Sequence, residues 1–165
     1  LLQEVLVEKS YSSIQNHREV VFESVELKGY CSFGPKKKIM YPLEDRGVVL
    51  VMGRNQDENS CDSNGSGKTN LCMASLWALT GSADVRADGK RLGRKDVVHQ
   101  IRGGRDQEEA SVTASVTVKG RVNGQAFSVQ RRVSEGKGES HALKLKLGDQ
   151  DLTQSSLRDT QSELE

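Results

Sequence analysis

Aromatic residues make up only 4% of this 165-residue chain, so a core built from it must rest mostly on Val, Leu and Ala. Proline occurs twice, whereas glycine is plentiful. The three cysteines, Cys31, Cys61 and Cys72, are odd in number and form no C-x-x-C pair. That spacing argues against a disulfide framework and against a cysteine-built zinc site, and fits a reduced intracellular setting, cytoplasmic or nuclear. No apolar run approaches the length of a membrane span, and the N-terminus has no signal-peptide pattern. With a net charge of +1, no global field recruits nucleic acid, so any basic surface must be local. At this length the chain amounts to about one domain. It starts at Leu1 rather than Met and ends in Glu163-Leu164-Glu165, so both ends read as cuts in a longer polypeptide.

What the chain does have is the stretch Asp62-Ser63-Asn64-Gly65-Ser66-Gly67-Lys68-Thr69-Asn70. An apolar run, Val48-Val49-Leu50-Val51-Met52, precedes it and is expected to be a strand. A helical pattern follows from Leu71 to Leu79. Strand, glycine-rich loop, then Lys-Thr at a helix start is the context of a phosphate-binding loop. Glycines let backbone N–H groups curl around a phosphate, and the helix N-terminus adds partial positive charge. Lys68 is expected to reach the β- and γ-phosphates and the Thr69 hydroxyl to ligate Mg²⁺. The full pattern G-x-x-x-x-G-K-[ST] places a glycine where this chain has Asp62. If Gly53 serves as the first loop glycine, nine extra residues are inserted, and Asp62 can bulge away from the phosphates.

Around this stretch the pattern is mostly β. Strands are expected near residues 20–27 and 39–41, with a break at Gly29-Tyr30-Cys31-Ser32-Phe33-Gly34. Lys36-Lys37-Lys38 reads either as a phosphate contact or as a solvated strand edge. The helix after Thr69 is apolar on most sides, with Gly81 placed for a left-handed cap and Trp77 read as core. Residues 82–105 are loop-like and locally basic, suited to DNA backbone, nucleotide phosphate or plain solvent. The clearest β signal is Val112, Ala114, Val116 and Val118, then an Asn123-Gly124 turn, then Phe127, Val129, Arg131 and Val133. A third strand follows at Leu143, Leu145 and Leu147, and a polar helix from Ser155. Arg131, Arg132, Lys144 and Lys146 could together make a basic sheet face, although polar-out alternation alone explains the lysines.

Two parts of an ATPase are missing. No apolar strand after the loop ends in Asp or Glu to hold Mg²⁺ and orient water, and there is no Leu-Ser-Gly-Gly-like signature. On its own the chain is expected to bind nucleotide weakly and to hydrolyse it poorly.

This combination resembles the N-terminal half of the head domain in SMC-like ATPases of the ABC class. It looks most like the double-strand-break repair and recombination exonuclease branch (bacterial SbcC and its phage and eukaryotic relatives). Glu26-Leu27-Lys28-Gly29-Tyr30-Cys31-Ser32-Phe33 is similar to that family's first strand and Ser-Phe turn, and residues 64–70 to its Walker A core. Leu76-Trp77-Ala78-Leu79-Thr80-Gly81 is similar to its helix end, residues 96–104 to the segment before its antiparallel sheet, and residues 155–165 to the polar helix before its Q-loop. The family usually has a basic residue where this chain has Cys31.

The resemblance implies an α/β P-loop NTPase fold, the N-terminal lobe of an ABC-ATPase head. A mixed sheet would surround the P-loop helix beside an antiparallel β layer, with residues 1–18 as an extension and 19–165 as the half-head. It implies ATP and Mg²⁺ held by Asn64, Gly65, Ser66, Gly67, Lys68, Thr69 and Asn70, with Arg102 near nucleotide or DNA. The implied partners are the C-terminal half of the same head, reached through a coiled coil, a second head as homodimer, a phosphoesterase nuclease subunit and DNA. The implied activity is ATP hydrolysis that drives DNA binding and end processing. Two alternatives stay open: a degenerate, non-hydrolysing head acting as a structural or DNA-binding module, and a small-molecule P-loop kinase. The long antiparallel region and the lack of a lid with paired arginines speak against the kinase.

Overall fold

Strict alternation of small apolar residues with hydroxyl residues from Thr113 onward suits a pleated surface with one covered face. In the computed structural model, which describes residues 19–53, 67–82, 95–99, 113–134 and 140–165, this stretch is the centre of a six-stranded sheet. The strands are β1 (Val20–Lys28), β2 (Ile39–Pro42), β3 (Thr113–Val122), β4 (Gln125–Ser134), β5 (Ser140–Leu147) and β6 (Gln150–Asp151). Their spatial order is β2-β1-β3-β4-β5-β6, and every pairing is antiparallel. Among the described residues two helices join them, α1 (Lys68–Thr80) and α2 (Leu157–Leu164), with a 3₁₀ turn at Lys95–Val97.

The β3–β4 hairpin turns at Asn123-Gly124 with φ of 50° and 79°. Two successive left-handed residues give a turn whose twist matches the strands, which is why Asn-Gly stands there. One face of the sheet carries the core. Val25, Leu27, Ala114, Val116, Val118 and Val133 pack with Ala74, Trp77 and Ala78 of α1. A smaller cluster of Val129, Leu143 and Leu145 is covered by Leu79, Leu157 and Leu164. The α2 helix begins where Ser156 accepts a hydrogen bond from the Asp159 N–H (3.1 Å) and buries Thr160 between Leu157 and Leu164.

Several expectations change here. Residues 48–53 form no strand, and the sheet of described residues is antiparallel rather than mixed. Val48, Leu50 and Met52 face outward, Leu50 and Met52 each at 81% exposure. Val49 and Val51 instead border a cleft of about 230 Å³ with Val25, Tyr41 and Leu71. The apolar run that suggested a strand is paired with no described strand, and a strand needs a partner for its backbone groups. The helix α1 is buried on one face only; Cys72 and Leu76 are exposed. Trp77 is core, as read, and Gly81 caps the helix at φ 73° with its N–H on the Trp77 carbonyl.

Arg131 does not join Arg132 and the lysines. The period of two puts it in the inward row of β4 with Val129 and Val133, and it is 1% exposed. Its Nε donates to the Ala78 carbonyl (3.0 Å) and its Nη2 to Gln161 Oε1. Gln161 Nε2 in turn donates to the Leu79 carbonyl (3.0 Å). Nη1 lies 3.3 Å from His141 Nε2, which must accept because a guanidinium has only donors. Burial lowers the Arg131 guanidinium to about 10, which leaves it a cation at neutral pH. A cation thus closes the negative end of α1, where the last carbonyls lack helical partners.

On the opposite face, Glu26 bridges Lys119 (2.8 Å) and Lys38 (3.0 Å), which assigns Lys38 to an ion pair on the sheet. The Lys119 hydrogen bond, helped by Lys38 and opposed by burial, holds the Glu26 carboxyl below its ordinary range. A depressed carboxylate stabilises the fold above its unfolded pKa, and that contribution is lost as pH falls through the folded value. Glu26→Gln is therefore expected to cost about 1 kcal/mol at pH 7, the scale of a partly exposed pair. The difference should shrink towards zero in urea melts carried below the ordinary carboxylate range; a pH-independent gap would show that the charge is not the cause.

Candidate nucleotide-binding site

The N-terminus of α1 is where the sequence places phosphate chemistry. Gly67 precedes it at φ 86°, with no side-chain cap and no acidic residue in the first turn. The first N–H groups of the helix therefore point out of its end with no carboxylate of its own first turn to compete for an anion. Lys68 is the first helical residue and half-buried, and Thr69 beside it is exposed. Asn70 turns its amide to Ser32 Oγ (2.7 Å).

That contact defines the other wall. Residues 29–34 form a tight turn after β1, closed by Gly29 N–H to the Gly34 carbonyl (3.2 Å) and Phe33 N–H to the Tyr30 carbonyl (2.8 Å). Gly29 has φ 61°, and a Cβ there would lie 2.3 Å from the Thr113 carbonyl oxygen, so the close approach of β3 requires glycine. A Cβ on Gly67 would meet Ser32 Cβ at 3.1 Å and Phe33 at 3.4 Å. The Ser-Phe turn and the start of α1 are thus packed together with no room for a larger residue at 67.

The turn is buttressed from below and beside. Tyr30 is buried against Trp77, ring centroids 5.2 Å apart, which ties the turn to the last turn of α1. Burial raises the Tyr30 hydroxyl well above its ordinary value. The segment at residues 95–99 lies along the turn: Cys31 N–H donates to the Val97 carbonyl (2.8 Å), His99 N–H to the Gly29 carbonyl (2.8 Å), and Tyr30 bridges Val98. His99 Nδ1 sits 2.7 Å from the Cys31 carbonyl oxygen and serves as its donor. Burial pushes the Cys31 thiol up to about 11, so it stays protonated and is no nucleophile at neutral pH.

The structure brings Gly67, Lys68, Thr69 and Asn70 to one place beside Ser32. Asn64, Gly65, Ser66, Asp62 and Arg102 lie outside the described residues, as does the 1–18 extension. Sequence reasoning did not single out Ser32, Tyr30 or His99 as parts of this wall. The local signal was a Gly-bounded turn for Tyr30 and Ser32 and none for His99; the contacts to residues 67–70 and 95–99 are long-range and have no local pattern. Among the described residues no group of three His, Cys, Asp or Glu could hold a metal. A Mg²⁺ ion here would take its ligands from Thr69, from phosphate oxygens and from water. No helix of the described residues is long and apolar enough to cross a membrane. The chain matches no protein-family model and no curated protein sequence.

Proposed function

We propose that this chain is the ATP-binding half of an SMC-like ATPase head, acting with DNA in double-strand-break repair or recombination. The observation that carries the reading is the uncapped, acid-free N-terminus of α1, opening Gly67-Lys68-Thr69 and seated on the Ser32-Phe33 turn. Backbone N–H groups there suit phosphate oxygens, Lys68 supplies a cation to the terminal phosphates, and Thr69 offers a hydroxyl to Mg²⁺. Bound Mg²⁺ would neutralise phosphate charge as it develops during hydrolysis. The chain's own part is binding and orientation. The acidic residue that directs water belongs to the second half of the head, and so does the signature of a facing head.

The exposed apolar side chains of Val48, Leu50 and Met52 support such completion, since an apolar segment without a described partner suits a further element packed beside it. A phosphoesterase nuclease and a second head remain the partners that the resemblance implies.

The test is binding of a fluorescent ATP analogue with Mg²⁺ by the full chain. Lys68→Ala is expected to weaken affinity about 100-fold, the worth of a charge-assisted contact near 3 kcal/mol. Unchanged affinity in that variant would sink the proposal. DNA-stimulated ATP turnover by the full-length protein would exclude the non-hydrolysing alternative, whereas binding without turnover would favour it.

A further inference from the structure

The strand β1 outruns its neighbour β2. Pairing between them ends with Ser24 opposite Pro42, so no described strand lies beside Val20, Val21 and Phe22 on that edge. On the other edge these residues pair with Val122, Arg121 and Gly120 of β3, and the register shifts between Phe22 and Ser24. The extra residue at this bulge is Glu23, whose carbonyl accepts the N–H groups of Leu43 (2.8 Å) and Glu44 (3.4 Å). The carbonyls of Glu19 and Val21 turn to β3, onto Asn123 and Gly120. Alternation along an antiparallel strand then leaves the backbone N–H and C=O groups of Val20 and Phe22 on the open edge.

This edge borders a cleft of about 710 Å³, with Val20, Phe22, Leu43, Glu44, Asp45 and Arg121 in its lining. Part of the lining is apolar. Val20 and Phe22 are 47% and 40% exposed, and Phe22 is held edge-to-face on Phe127, ring centroids 5.9 Å apart. The register puts Phe22, Gly120 and Phe127 on one face of the sheet, and Val21 with Arg121 on the other. The charged part is acidic. Arg121 is held between Glu23 (3.0 Å) and Glu44. Glu19 and Asp45 also line the cleft and make no ion pair among the described residues. Arg46, next to Asp45, lies over the Tyr41 ring and borders the other cleft, beside Leu71.

We propose that the open edge at Val20–Phe22 docks an extended peptide segment of a partner protein, which adds as a strand beside β1 and alternates basic with apolar side chains. Unpaired main-chain groups on a strand edge are a template for such addition, and the flanking side chains then select the sequence. Successive side chains of an added strand fall on opposite faces. One row would meet Val20 and Phe22. The other would meet the carboxylates, where Arg or Lys supplies the cations that Glu19 and Asp45 lack. Those carboxylates repel the phosphates of nucleic acid and the headgroups of an anionic membrane. Among the described residues no group of three His, Cys, Asp or Glu could hold a metal. Val20 lies about 26 Å along β1 from Lys28, at the end away from the Gly29 turn, so the site stands whether or not Lys68 binds phosphate.

The experiment selects random heptapeptides displayed on phage against the immobilised full chain, then measures the labelled consensus peptide by fluorescence anisotropy. The expected consensus alternates Arg or Lys with Leu, Ile, Val or Phe. Val20→Pro removes an open N–H at the first residue of β1, a position that tolerates proline, and should weaken binding about tenfold or more. The double variant Glu19→Gln, Asp45→Asn should weaken it about tenfold at low salt and flatten its dependence on KCl. A control with the same change in net charge, Asp149→Asn, Glu163→Gln, should leave peptide affinity unchanged. Val20→Pro should also leave binding of the ATP analogue unchanged, which separates the edge from the nucleotide site. Circular dichroism melts check that each variant is folded. No enriched peptide, the result if residues 1–18 of the chain itself fill the cleft, would overturn the assignment. So would a consensus without basic or without apolar residues, equal losses in double variant and control, or full affinity in Val20→Pro. Self-association of the chain that Val20→Pro abolishes would overturn it too, by giving the edge to a second copy.

Discussion

Arg131→Ala is expected to destabilise the protein by about 4 kcal/mol, which for a domain of this length lowers the melting temperature by about 8–16 °C. Three effects add. The Ala78 carbonyl and Gln161 Oε1 lose a buried charged donor, and each orphaned acceptor costs about 1–3 kcal/mol. A space opens against Gly81, where the guanidinium now lies 2.9 Å from the position of a Cβ. The C-terminal dipole of α1 loses its cation. Arg131→Lys should rescue little, because one ammonium cannot serve acceptors on α1, α2 and β5 at once. Arg131→Met should recover part of the loss by keeping the apolar stem. Differential scanning calorimetry checks the series; a fall under about 2 °C for alanine would show that the buried guanidinium contributes nothing.

Gly29→Ala is the second large effect, and it joins fold to site. The new Cβ would lie 2.3 Å from the Thr113 carbonyl oxygen, and backbone atoms of a paired strand cannot turn aside. Positive φ adds about 1–2 kcal/mol of strain. The turn must move, and Ser32 and Phe33 with it, so Gly67 and Lys68 lose their wall. The expected result is a loss of about 3 kcal/mol in stability together with about tenfold weaker nucleotide affinity, read by melting and by analogue binding. Gly47→Ala is the matched control. Its φ is +55°, but nothing lies within 4 Å, so it should cost only the strain and leave nucleotide affinity alone. If Gly29→Ala behaved like Gly47→Ala, the close packing of the turn on β3 would be irrelevant to the site.

The hairpin from Thr113 to Ser134 was legible because each of its signals is local. Alternation fixes which residues share a face, and Asn123-Gly124 supplies the two positive φ angles that the turn needs. Gly81 as helix cap and Trp77 as core were read on similarly local grounds. The apolar run at 48–52 forms no strand, because a continuous apolar run signals burial and does not supply a partner for the backbone. Arg131 was grouped with its neighbour by charge, although the period of two puts adjacent residues on opposite faces.

Residue order alone therefore determined the strand periods, the β3–β4 turn, the cap of α1 and the Gly-Lys-Thr start of that helix. These depend on torsion angles and side-chain polarity within a few neighbouring residues. The tertiary structure decided the strand order β2-β1-β3-β4-β5-β6, the seating of Gly67 on Ser32, and the closure of α1 by Arg131 and Gln161. It also decided where β2 ends against β1, and that Glu26 takes Lys38 and Lys119. Each of these joins groups far apart in the chain, and only packing of the whole sheet against α1 and α2 brings them within reach of one another.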